Sequence, residues 1–259
     1  MPDIPFRGGG FAPRNLPLAG AATLLGLVAL WQAGDSLGLI PTLFLPSPAA
    51  IAVALYHLAR SGELWKHLSA SLARLAIGWT LGTVFGIAVG LAAGLSSLWR
   101  SPAMAVVAAL FPIPKIALVP LFIIWFGIGE GSKIVTLAFG VFFPTVIATA
   151  GGVDNVPRSL IRMAQGFGLS RAAIVRKVVL PAALPAILSG FRVTTSIAIV
   201  LVVAAEMIGA DRGIGAFVLS AGNLYDTDNL LAGIVVLSLL GLAVSWLIGR
   251  AERLLLAWR

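Results

Sequence analysis

Two cations stand inside stretches that are otherwise apolar, Lys115 and Arg192. A charge at mid-bilayer costs about 2.5–3.5 kcal/mol on insertion scales, so a residue of this kind is usually retained for a purpose. Lys115 follows Pro112 and Pro114 and precedes Pro120. Each proline removes a backbone donor, and carbonyls freed in lipid must find other partners. A kinked helix is expected here, buried among neighbours or lining a cavity, with Lys115 as the candidate to face an anion in transit. An ordinary kinked membrane helix carries the same prolines, and that reading stays open. Arg192 lies within a turn or two of a basic end and is expected to snorkel to the surface.

Other chemistry is thinly represented. His57 and His67 have no acidic cluster beside them, and the chain contains no cysteine, so a metal site or a disulfide framework is not expected. The run Gly127-Ile-Gly-Glu-Gly-Ser-Lys133 lacks the spacing of a phosphate loop and reads as a tight turn. No nucleophile elbow or zinc-protease motif is present, so neither catalytic residues nor a resident cofactor is expected.

The elements around these residues follow from composition. The chain has 259 residues, 59% hydrophobic and 11% charged, with mean hydropathy +1.02. Soluble domains carry about 25% charged residues, so lipid must solvate much of this chain. The fold class is all-α and polytopic. Six apolar runs are long enough to cross a bilayer, at about 16–34, 75–97, 103–126, 134–152, 184–206 and 229–249. Residues 1–15 are rich in Gly and Pro and are expected to form a loose cytoplasmic tail. The first run is expected to be retained rather than cleaved, since no small-x-small site follows it.

With the N-terminus inside, Arg7, Arg14, Arg100, Arg158, Arg162, Arg171, Arg176, Lys177, Arg250, Arg253 and Arg259 fall on the inner side. Only Arg60, Lys66, Arg74, Lys133 and Arg212 fall outside, together with most of the acids. That bias places both termini in the cytoplasm. It also accounts for the net charge of +8 without nucleic acid, for which no basic run interleaved with aromatics exists.

Three local patterns stand out. Leu64, Trp65, Leu68, Leu72 and Leu75 recur at helical spacing and suggest an interfacial helix bending into the second span, or equally a packed stripe. Gly78, Gly82, Gly86, Gly90 and Gly94 form a stripe along one face of the second span, where a helix of the bundle or of a second copy can approach closely. The inner segment 155–181 is expected to hold two short helices meeting at Gly168, with Ser170 capping the second and Pro181 ending it. On that second helix Ile174 and Val178 share a face, and an exposed apolar ridge implies a protein partner.

Gly168 followed by Val178-Val-Leu180-Pro181 resembles the glycine and Ile-x-Leu-Pro end of the EAA loop of ABC-importer permeases. Arg162-Met163-Ala164 aligns with the motif's Glu-Ala-Ala, so arginine stands where the family has an acid. Leu45-Pro-Ser-Pro48, Pro112 to Glu130 and Ala205-Glu-Met-Ile-Gly-Ala210 are similar to the branch serving aliphatic sulfonates, nitrate and taurine. The resemblance implies a type I ABC-importer permease (MetI-like) fold in the bacterial inner membrane. It implies a homodimer enclosing one pathway, and two ATPase subunits that hold ATP and Mg and grip the 155–181 loop. It also implies a periplasmic or lipid-anchored protein delivering a small anion, or a pyrimidine precursor. A self-sufficient secondary transporter or channel is the alternative that the prolines and Lys115 suggest, and ion-driven uptake by this chain alone would mark it.

Overall fold

A computed structural model describes residues 17–257; the tail expected at 1–15 lies outside them. Among the described residues all regular structure is helical: α1 (Pro17–Ser36), α2 (Pro48–Ser61), α3 (Glu63–Leu95), α4 (Ser97–Leu110), a 3-10 turn (Lys115–Leu118), α5 (Val119–Phe126) and α6 (Glu130–Asp154). Then follow α7 (Arg158–Gly166), α8 (Arg171–Ile174), a π segment (Val175–Val179), α9 (Leu180–Met207), α10 (Ile214–Asn223) and α11 (Thr227–Leu255). Ser47 caps α2, its side chain accepting from the Ala50 N–H at 3.2 Å, and Pro48 supplies the first helical residue.

The glycine stripe is an intramolecular seam. A Cβ at Gly78, Gly86 or Gly90 would lie 2.6 Å from the Cβ of Leu137, Thr145 or Thr149, and one at Gly94 2.7 Å from that of Val153. At Gly82 it would lie 2.5 Å from the Ala138 carbonyl oxygen. Both helices advance by the same number of residues from contact to contact, so α3 and α6 run parallel in fixed register. The opposite face of α6 meets α9 antiparallel: Gly140 faces Leu201, and Gly152 faces Ala183. Leu75, Leu137, Val141, Ala198, Leu201, Val202 and Ala205 close the core between these three helices.

Parallel α3 and α6 constrain what joins them. The chain leaves α3 at Leu95 and must return to the Arg74 end to begin α6 at Glu130. The only segment available is α4 with α5, which bend by 89° at their break. The pair is thus one broken crossing, and with the five long apolar helices it makes six. The expected single kinked helix at 103–126 is replaced by two helices at nearly a right angle, because Pro112 and Pro114 remove two donors within three residues and Pro120 starts a new helix.

Two further expectations change. α3 has 33 residues in one uninterrupted helix, about 50 Å at 1.5 Å per residue, so the Leu64–Leu75 stripe does not bend into the span but extends it beyond the hydrocarbon. Pro181 does not end a helix either. The chain is helical from Arg171 to Met207, and the Leu180 N–H bonds to the Val175 carbonyl in the wider π turn. That turn absorbs the clash a proline imposes on the preceding turn of an α-helix.

Candidate functional site

At the Asp154 end, α7 and α8 form the short pair. Gly168 has φ +71°, and the Leu169 N–H bonds to the Ala164 carbonyl at 3.2 Å while the Gly168 N–H bonds to that of Gln165 at 2.9 Å. This is a Schellman turn, in which glycine fills the left-handed position. Ser170 Oγ accepts from the Ala173 N–H at 3.3 Å and starts α8.

The pair is rooted in the bundle. Ala164, Ile174 and Val179 are buried with Val153, Val156, Ala183 and Ile187, which joins the loop to the ends of α6 and α9. Ile174 is buried and Val178 half-buried, so the ridge expected to meet a partner faces inward, because helical periodicity identifies a face but not what covers it. The exposed apolar face lies on α7 and its C-cap instead: Leu160, Met163 and the capping Phe167, the last 79% exposed. Arg158, Arg162, Arg171, Arg176 and Lys177 lie along the same segment, all exposed, while Leu180 and Pro181 are half-buried at the root of α9. Arg100 anchors the end of α6 through a bidentate pair with Asp154, both bonds 2.7 Å.

Lys115 sits in the elbow of the broken crossing. Its Nζ donates to the carbonyls of Leu110 (3.2 Å), Ile113 (2.7 Å) and Phe111. An ammonium has three donors, so all are spent on the carbonyls that the break releases. The charge also lies 5.2 and 5.3 Å from the ring centroids of Phe111 and Phe143. Lys115 and Pro114 border a cavity of about 450 Å³ with Ser196, Val200 and Leu201; Pro112 and Pro120 lie outside its lining. Arg192, expected to snorkel alone, pairs with Glu252 of α11 at 2.6 Å.

The most developed polar cluster lies at the other end, and sequence reasoning missed it by counting its members as loop charges. Arg74 is 3% exposed and Glu206 1%. The Arg74 guanidinium donates from Nη1 to Glu206 (2.8 Å) and to the Arg212 carbonyl, and from Nε and Nη2 to Glu130, both at 2.6 Å. Ser71 donates to Glu206 at 2.8 Å and accepts from the Ile214 N–H at 2.9 Å, and the Gly215 N–H donates to Glu206 at 2.9 Å. The cluster ties α3, α6, α9 and the start of α10 together. Gly213, at φ +130°, passes so close that a Cβ would lie 2.3 Å from the Glu206 carboxyl carbon. The available signal was Glu206 itself, an acid directly continuing an apolar run. Among the described residues no group of three or more His, Cys, Asp or Glu could hold a metal.

Six helical crossings, with a stapled helical pair at one end and a buried ion cluster at the other, define the class: a polytopic helical membrane protein. Residues 82–256 match the family described as the binding-protein-dependent transport system inner membrane component. The chain is 39% identical to the taurine transport system permease protein TauC of Escherichia coli K12, over 91% of this chain and 88% of that one. It is 38% identical to the putative aliphatic sulfonates transport permease protein SsuC of the same strain, over 90% and 89%. Its backbone resembles the inward-facing MetNI methionine ABC transporter, with TM-score 0.62, 25% identity, and 72% and 93% of the two chains covered. The chain belongs to the binding-protein-dependent transport inner membrane family and is a permease subunit of an ABC importer.

Proposed function

We propose that this permease carries small organic sulfonates, taurine among them, through a pathway formed by two copies of the chain. Two ATPase subunits act at the Asp154 end and a solute-binding protein at the Arg74 end. The identity of 39% and 38% to taurine and sulfonate permeases over about nine-tenths of the chain carries the substrate reading. It favours sulfonates over nitrate and pyrimidine precursors. The basic residues crowding α7 and α8 support a cytoplasmic Asp154 end, since Lys and Arg accumulate there.

In this reading α7 is the surface the ATPase grips, through Leu160, Met163 and Phe167. ATP stays on the ATPase subunits, and this chain supplies the lever. Gly168 lets the short pair fold back on itself, and the buried contacts of Ile174 and Val179 pass its movement to α6 and α9. Arg162, in place of the family's acid, lies exposed on the same short helix. A partner carboxylate is the chemistry that complements it.

Reconstituting the permease with its ATPase and binding protein in proteoliposomes tests this. ATP-dependent accumulation of taurine or ethanesulfonate is expected, and none from the permease alone. Uptake driven by an ion gradient without ATPase subunits would refute the importer reading, and uptake of nitrate but not sulfonates would refute the substrate.

A further inference from the structure

At the Arg74 end the ion cluster borders a cavity of about 820 Å³, lined by Arg74, Glu130, Lys133, Asp211 and Arg212 among apolar neighbours such as Ile77. Its two innermost cations are unequal. Arg74 presents the Nε–Nη2 edge, the planar fork that suits an oxyanion, and Glu130 fills it. Yet the Glu130 side chain is 61% exposed, whereas that of Arg74 is 4% exposed. A solvated carboxylate therefore occupies a buried fork and can swing away into water. The other edge of Arg74 is held by Glu206, whose side chain has no exposure, so the guanidinium stays in position when Glu130 leaves.

Lys133 supplies the second contact. It is 4% exposed, and its Nζ donates to the carbonyls of Ile128 (3.1 Å) and Gly129 (3.0 Å). An ammonium carries three N–H groups, which leaves one beside the cavity. Charge agrees with the geometry. Arg74, Lys133 and Arg212 face Glu130, Asp211 and, behind Arg74, Glu206, so the site is neutral with Glu130 in place. With Glu130 swung out it has one positive charge in excess, which suits one monoanion.

We propose that this cavity is an acceptor site for a small monoanionic oxyanion of the sulfonate class, held by Arg74 and Lys133, and that Glu130 is a tethered carboxylate plug the ligand displaces. The site deepens the sulfonate reading given above and rests on it for the ligand's identity. A sulfonate matches the fork with two oxygens and offers its third to Lys133. Asp211, on the same lining, can receive an ammonium at the far end of a zwitterion such as taurine.

Calorimetric titration of the full chain in nanodiscs with ethanesulfonate tests the plug. Glu130→Gln keeps the shape but removes the competing charge, and is expected to bind about tenfold more tightly than the native chain. Adding Lys133→Met, or the milder Arg212→Gln, to that background is expected to reverse the gain. Thermal midpoints near the native value verify folding. A folded Glu130→Gln chain that binds no more tightly than native, or a gain that survives both second substitutions, overturns the site. Uptake by the whole importer separates the two readings. Sulfonate uptake without any Glu130→Gln gain sinks the site alone, and a Glu130→Gln gain in an importer that moves no sulfonate keeps the site and sinks the substrate.

Discussion

Replacing Gly86 by alanine adds one methyl group to the seam between α3 and α6. The new Cβ would stand 2.6 Å from the Thr145 Cβ and 2.9 Å from the Phe142 carbonyl oxygen. Ordinary contact for a Cβ begins near 3.4 Å, so the helices must part by about 0.8 Å at that level. Neither neighbour is the end of a flexible side chain: one is a β-carbon fixed to α6, the other is backbone. The displacement spreads along the seam, because Gly82 and Gly90 one turn away are equally tight. Overpacking of this kind costs about 1–3 kcal/mol, a shift of roughly 5- to 150-fold in an unfolding constant. In lipid, close packing is itself what holds helices together.

Gly151 and Gly241 provide the comparison. Both are helical glycines with nothing within 4 Å of an added Cβ, and alanine there should be neutral or stabilising by up to about 1 kcal/mol through helix propensity. Equilibrium unfolding of each purified variant in mixed micelles, followed by tryptophan fluorescence, gives the difference. Gly86→Ala is expected to unfold at lower denaturant than either control. Equal stability of all three variants would show that the stripe is not packed as described, and the parallel register of α3 and α6 would fail with it.

Other expectations follow from the two ends. Arg74→Met leaves Glu206 buried without its cation, which destabilises by about 3–5 kcal/mol; the double change Arg74→Met, Glu206→Gln should lose less than the two single losses added, as a double-mutant cycle in the same unfolding assay will show. Phe167→Ala removes the exposed apolar side chain that caps α7 and should weaken ATPase-subunit binding about tenfold or more, read by co-purification against salt, while the thermal midpoint of the isolated permease stays unchanged. Lys115→Met strands the Phe111 and Ile113 carbonyls in the elbow of the broken crossing and leaves that of Leu110 with the Ile113 N–H alone. At about 1–3 kcal/mol for an unsatisfied group it should lower stability, and unchanged stability would mean that the ammonium does not staple the break.

What could be read in advance follows the range of each signal. The six crossings were visible because an apolar run declares its solvent residue by residue. The glycine stripe was visible because its period is fixed within one helix, but its partner, more than forty residues on, was not. Pro112 and Pro114 announced a disturbance, whereas the 89° turn depends on Lys115 collecting the freed carbonyls. Pro181 was misread because a π turn five residues long can carry a proline where an α turn cannot. Arg74 and Glu206 are separated by more than a hundred residues, and each looks like an interfacial charge until the chain brings them together.

These features bear on how force can pass through the permease. α6 is packed in register on both faces, against α3 by glycines of α3 and against α9 by its own Gly140 and Gly152. At the Asp154 end its last turns share a core with α7, α8 and the root of α9. At the Arg74 end its first residue, Glu130, shares a guanidinium with Glu206 of α9. A close-packed seam cannot slide by fractions of a turn without opening voids or clashes, so α3, α6 and α9 move as one body. The broken crossing is the part with freedom to change shape, since a 3-10 turn and one lysine join its halves. On the proposed reading, in which the ATPase grips α7, a push there tilts the rigid trio, and the relative motion is taken up where α4 meets α5, beside the cavity that Lys115 borders.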